Sequence, residues 1–266
     1  MESGVIGNHN NWQYPLANSE NERENRTEYV SIPQEHCREE LEMLVLLKEL
    51  RSILGTALDS LANQTPPTPE SRYVGDAAKS VNIASDGYIL LRESARVHAS
   101  KMMIRPLIDV VITSTAVTNK KGFLFRVAYT ELNKMRKLYD KTSENEARAK
   151  AIEESLKKRF SEEPGYPIEC KQVDARLTAE AAGMLPVYET AYRLYCEFTH
   201  SAMRAVNGQL DQTTDPIDTS MVVWAVSVML NQLKIFTPAS VPDLTPFNER
   251  IAQSHKAILG AWGHAV

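Results

Sequence analysis

Apolar residues recur at three-and-four spacing through every long segment of this chain, and no stretch shows strand alternation or a hairpin signal. With 3.6 residues per turn, that spacing gathers the apolar side chains on one face of a helix. Each helix must then bury its stripe against another. The chain is expected to be all-α: a single multi-helix, bundle-like domain of seven or eight helices over residues 31–266. Residues 1–30 are rich in Asn, Glu and Ser and have no period, which predicts a disordered, flexible polar tail.

Capping and breaking residues set the expected helix limits. Ser31 and Gln34 have capping-box spacing, and Leu41, Leu44, Leu47, Leu54, Leu58 and Leu61 carry the first stripe towards Pro66, Pro67 and Pro69. A second helix is expected from Tyr73 to Ser100 and a third from Arg105 to Thr118. The β-branched cluster Val110, Val111, Ile112 and Val117 is read as a buried helix, because it does not alternate. Helices are also expected over 122–141, 143–160 and 177–182, the last stopped by Gly183. Three more follow: one opened by Pro186 and running to Gly208, one from Thr219 to Phe236, and one from Thr245 to Trp262.

At 43% hydrophobic and 24% charged residues, 266 residues suffice for a sizeable core. The net charge of −4 argues against a dedicated polyanion binder. Lys121 to Phe160 departs from it, with eleven Lys and Arg against six Asp and Glu. Interspersed at i,i+3 and i,i+4, these read first as a solvated helix face and second as a basic nucleic-acid surface. No G-x-G-x-x-G or Walker-type loop occurs, so motif-based nucleotide binding has no support. Cys37, Cys170 and Cys196 are odd in number and far apart, which points to a reducing compartment rather than a disulfide framework. No secretory signal is read at the N-terminus, and the longest apolar run, Met221 to Leu230, is about half the roughly 20 residues of a membrane span. A cytoplasmic protein without membrane contact is expected.

One helix face concentrates the polar chemistry. Tyr188, Tyr192, Cys196 and His200 are four apart and form a slanted ladder, joined by Arg193 and by Glu197, its i,i+4 partner. Arg193-x6-His200 resembles the R-x(4–6)-H signature of HEPN ribonucleases, which are also all-α. In such a pair the imidazole moves a proton and the guanidinium stabilises phosphorane charge. Arg92-x5-His98 fits the same pattern. Glu197 and His200 form one E-x-x-H, but a di-iron bundle needs two copies, so no metal is expected. Cys196 and His200 as a nucleophile pair lack room for a substrate between them. The leading reading is a structural network, in which Arg105 and Asp109, an i,i+4 pair on an otherwise apolar helix, hold Tyr192 or His200 across the bundle.

Arg105 to Thr118 (RPLIDVVITSTAVT), followed by Tyr188-x3-Tyr192-Arg193-x2-Cys196-x3-His200, resembles an uncharacterised bacterial family of all-helical proteins. Its members pair an R-x-L-x-E helix with a late Y-x3-Y-R-x2-S-x3-H helix. Asp109 stands here where Glu is usual, and Cys196 where Ser is usual. The resemblance spans about residues 40 to 236 and implies the fold and the residues of interest, but no reaction and no cofactor. The expected role is one of protein contacts, with an unknown protein partner or as a homodimer. The alternative is a HEPN-like, metal-independent ribonuclease of a toxin or phage-defence setting, with RNA as its partner and Arg193 and His200 as its catalytic pair.

Overall fold

Pro69 opens a helix instead of closing one. Thr68 is its N-cap: the hydroxyl oxygen accepts from the Ser71 N–H at 3.1 Å, and proline in the first turn gives up no needed donor. In the computed structural model, which describes residues 34–63, 68–94, 96–138, 143–162, 165–193, 195–196 and 215–253, helix α1 (Gln34–Ala62) precedes this helix α2 (Pro69–Glu93). They are followed by α3 (Val97–Met102), α4 (Ile104–Asn119), α5 (Phe123–Leu138), α6 (Ser143–Ser161) and α7 (Ala175–Ala182). Then come α8 (Leu185–Val187), which runs into a π-helical turn (Tyr188–Tyr192), α9 (Asp215–Phe236) and α10 (residues 245–253). No strand occurs among the described residues. The polar tail expected over residues 1–30 lies outside them.

The expected helix from Tyr73 to Ser100 is two helices. After Glu93 the Arg96 N–H bonds the Leu91 carbonyl at 2.8 Å, and the chain restarts at Val97. This break lets Ser100 and Lys101 face inward, where both are fully buried. The β-branched segment Val110–Val117 is helical as read. The hydroxyls of Thr113, Thr115 and Thr118 each donate to the carbonyl four residues back at 2.8 Å, so they make their bonds within the helix. Asp174 caps α7 by accepting from the Leu177 N–H at 2.8 Å, and Gly183, at φ +70°, closes it in the left-handed conformation.

Helix α9 lies at the centre, against α1, α2 and α4. Its Val222, Val223, Val226, Met229, Leu230 and Leu233 are fully buried, and so are Leu47, Leu50 and Leu54 of α1. A helix covered on several sides is apolar nearly all round. Ile217–Phe236 therefore has the length and hydropathy of a membrane span, twice the ten-residue run read from sequence, yet 61% of its most apolar window is buried inside the fold. It packs as a core helix and carries an ion-paired aspartate.

Helices α5 and α6 leave this core as a hairpin. Phe125, Phe160 and Tyr166 anchor its base, with ring centroids 5.5 and 4.9 Å apart. Beyond that base α6 packs chiefly on α5. Arg136 of α5 and Lys157 of α6 converge on Glu153 at 3.0 and 2.6 Å. Both cations hold the Glu153 pKa below its usual value, the Lys157 hydrogen bond most strongly. A depressed carboxylate pKa stabilises the fold above the unfolded value, about 4.3, and that stability is lost as pH falls through the folded value. Acid should therefore loosen the hairpin, and Glu153→Gln should remove this share of the acid sensitivity in a urea titration between pH 7 and 3.

Candidate functional site

The π turn at Tyr188–Tyr192 divides the polar face read from sequence. It seats the Tyr192 ring on the Tyr188 ring, centroids 5.0 Å apart and planes 24° from parallel. Such turns change the phase of the helix that follows. Tyr192 is buried, Arg193 is exposed, Tyr195 is buried to 1% exposure, and Cys196 is a half-buried free thiol. Glu197 and His200 lie outside the described residues, and with them the Arg193–Glu197 and Arg193–His200 pairs.

Outward of this turn is the expected pairing with α4. The Arg105 guanidinium donates to the Tyr192 phenol and lies 5.7 Å from the centre of its ring. Burial raises the Tyr192 pKa, and the Arg105 hydrogen bond works against that rise. Asp109 reaches solvent, yet the protein packed around its carboxyl raises its pKa, with Arg105 and Lys134 opposing and Glu131 reinforcing. Tyr73 of α2 borders the same group. Its phenol is pushed up to about 12, by burial first and then by Glu131 and Asp109.

Inward is a second group, which the sequence reading missed. Lys101 Nζ of α3 and Asp218 Oδ2 of α9 form an ion pair at 3.0 Å with both side chains almost fully buried. The Tyr195 hydroxyl donates to Asp218 Oδ1 at 2.6 Å. Beside it, at the next residue of α9, the Thr219 hydroxyl lies 2.9 Å from the Tyr88 hydroxyl. Ser85, Ser100 and Ser220 are buried polar neighbours in sequence of these residues. Burial followed by the Asp218 charge raises the pKa of both Tyr88 and Tyr195 far above the ordinary phenol range. The one available signal is Asp218 in Pro-Ile-Asp-Thr-Ser, a carboxylate one residue before Thr219, where the sequence places the start of the most apolar helix. Lys101, on a six-residue helix, left no periodic trace.

The raised phenols carry a pH dependence. Stability from the neutral phenols is fully present below about pH 10, the unfolded value, and is lost as pH rises from there towards the folded values. Phenolate absorbance from Tyr88 and Tyr195 should appear only together with loss of helical ellipticity. The difference between wild type and Tyr88→Phe/Tyr195→Phe isolates it. Titration of these phenols near pH 10 in a folded chain would contradict their burial.

Arg92, which with His98 gave a second R-x5-H match, is buried and paired with Glu40 of α1. The His98 side chain lies outside the described residues. Among the described residues no cluster of three or more His, Cys, Asp or Glu is placed to hold a metal ion. An open groove of about 340 Å³ between α1 and α10, walled by Leu41, Met43, Leu46 and Arg250, shares no residue with either polar group.

A family model described as a family of unknown function (DUF5677) matches residues 75–217, a little over half of the chain. The chain belongs to that family. No curated protein and no solved structure matches it. The match is narrower than the expected span of 40 to 236, because α1 and nearly all of α9 lie outside it. Lys101, Arg105, Asp109, Tyr192 and Tyr195 fall inside the family segment, and Asp218 stands one residue beyond it. The inner ion pair therefore ties the family segment to the core helix that follows.

Proposed function

We propose that this member of the family is a cytoplasmic, bacterial helical protein that acts through contacts with other proteins, its polar groups serving to fix the helix arrangement that presents the contact surface. The observation that carries this reading is the inner group. Each Asp218 oxygen is committed to a protein partner, Lys101 or Tyr195, and the three residues come from three different helical segments. A buried charge pair held between protein groups of separate segments specifies packing. The outer group supports the same view, since Arg105 is spent on the phenol and ring of Tyr192.

The second reading, a HEPN-like, metal-independent ribonuclease, draws on one observation: Arg193 is exposed directly after the π turn, as a guanidinium that meets a phosphodiester must be. An RNA-cleavage and cell-toxicity assay of wild type beside Arg193→Ala and His200→Ala separates the two. The contact reading expects no cleavage by any of the three proteins and unchanged folding of Arg193→Ala. Cleavage by wild type that both substitutions abolish would replace it with the ribonuclease reading.

A further inference from the structure

The α5–α6 hairpin places one organised, unengaged stripe on the surface. The inner face of α6 is fixed by Ala149, Leu156 and Phe160, which pack inward, and by Glu153, which binds Arg136 and Lys157. On an adjoining flank Arg148, Ile152, Ser155 and Arg159 follow one another at i, i+4, i+7 and i+11, and all four are exposed. At 100° per residue they fall within about 60° of one another, a single row along the helix. Ile152 is 38% exposed. Arg148 and Arg159, unlike Arg136, have neither an ion pair nor a hydrogen bond among the described residues. No carboxylate interrupts the row between them. It lies in the segment 121–160, whose excess of five positive charges contrasts with the chain's net −4, and inside the family match.

We propose that this row is the docking face for an acidic amphipathic helix of a partner protein. The inference rests on the protein-contact reading above and names its surface. An apolar side chain of the partner covers Ile152, and carboxylates one to two turns to either side meet Arg148 and Arg159. Charge complementarity sets the sign of the partner and steers its approach. An isoleucine between the two arginines favours a protein over a nucleic acid: it gains from an apolar cover and nothing from a phosphate, and two cations along about 16 Å of helix neutralise few phosphates. Helix-on-helix docking by residues at i, i+4, i+7 and i+11 is a recurrent mode of peptide recognition.

The test is a selection on the full-length chain from a displayed library of helical peptides about 20 residues long. The selected peptides are then titrated by fluorescence anisotropy. The expected winners carry an apolar residue flanked by Asp or Glu. Ile152→Glu and the pair Arg148→Glu/Arg159→Glu should each weaken them by about tenfold or more, and added salt should weaken them further. Lys79→Glu on α2 is the control, and circular dichroism of every variant should match wild type. Winners that are basic or uncharged, or acidic winners indifferent to Ile152→Glu, would overturn the assignment of this row and leave the protein-contact reading standing. Single-stranded RNA that binds at this row and displaces the peptides would overturn both.

Discussion

Asp218→Ala should lower the stability of the chain by about 3–5 kcal/mol, the usual cost of stranding one member of a buried ion pair. The substitution leaves the Lys101 ammonium, 1% exposed, without its carboxylate at 3.0 Å, and it removes the acceptor of the Tyr195 hydroxyl. No nearby solvent takes over, because Tyr88, Thr219 and Ser220 around the site are also buried. For a domain of this size the loss corresponds to a Tm lower by roughly 6–20 °C. Arg250→Ala should change Tm little: its 2.9 Å pair with Glu49 is about half exposed on both sides, and such surface pairs contribute about 0–1 kcal/mol. Comparable effects from the two substitutions would mean that the inner pair does not hold the core.

Gly122→Ala should cost about 2–5 kcal/mol for a different reason. Gly122 joins α4 to α5 at φ +84°, a conformation that costs an L-residue about 1–2 kcal/mol. A Cβ built there would come within 2.3 Å of Pro167 Cγ and 2.9 Å of the Pro167 carbonyl oxygen. A proline ring has no long side chain to swing away, so backbone must shift, and overpacking of that kind adds about 1–3 kcal/mol. The hairpin should suffer first, since Pro167 follows the Phe160–Tyr166 contact that anchors it. Thermal unfolding checks this directly: a Tm within 2 °C of wild type, about the effect of 1 kcal/mol or less, would show that the close approach is not maintained in solution. Gly55→Ala, where an added Cβ meets nothing within 4 Å, is the matched control and should be neutral or slightly stabilising.

The helical fold was legible because its signal is periodic. Stripe residues such as Leu47 and Leu54 report directly which face is buried, and the β-branched segment of α4 stayed helical because its residues do not alternate. The Arg105–Tyr192 contact was legible for a related reason: polar residues on two otherwise apolar helices seek each other. The inner pair was not. Lys101 owes its burial to a break after Glu93 that no proline or glycine announces, and Tyr195 owes its inward direction to a π turn that a sequence read at 100° per residue passes over. The ladder through Cys196 and His200 assumed an unbroken α-helix. The wider turn moved Tyr195 into the place beside Asp218 that a regular ladder would not have given it. The docking row on α6 was visible in the sequence only as part of a charged helix. The paired state of Arg136 and Lys157 is what distinguishes its outer arginines.

That the inner polar group is architectural is tested most directly by a double-mutant cycle, with urea unfolding of wild type, Lys101→Met, Asp218→Leu and the combined variant. Each single substitution strands the opposite charge, so each should cost about 3–5 kcal/mol, whereas removing both together replaces the pair by apolar side chains and should return the chain to within about 2 kcal/mol of wild type. Two single variants that each retain wild-type stability, or a double variant whose loss is the sum of the singles, would contradict the account.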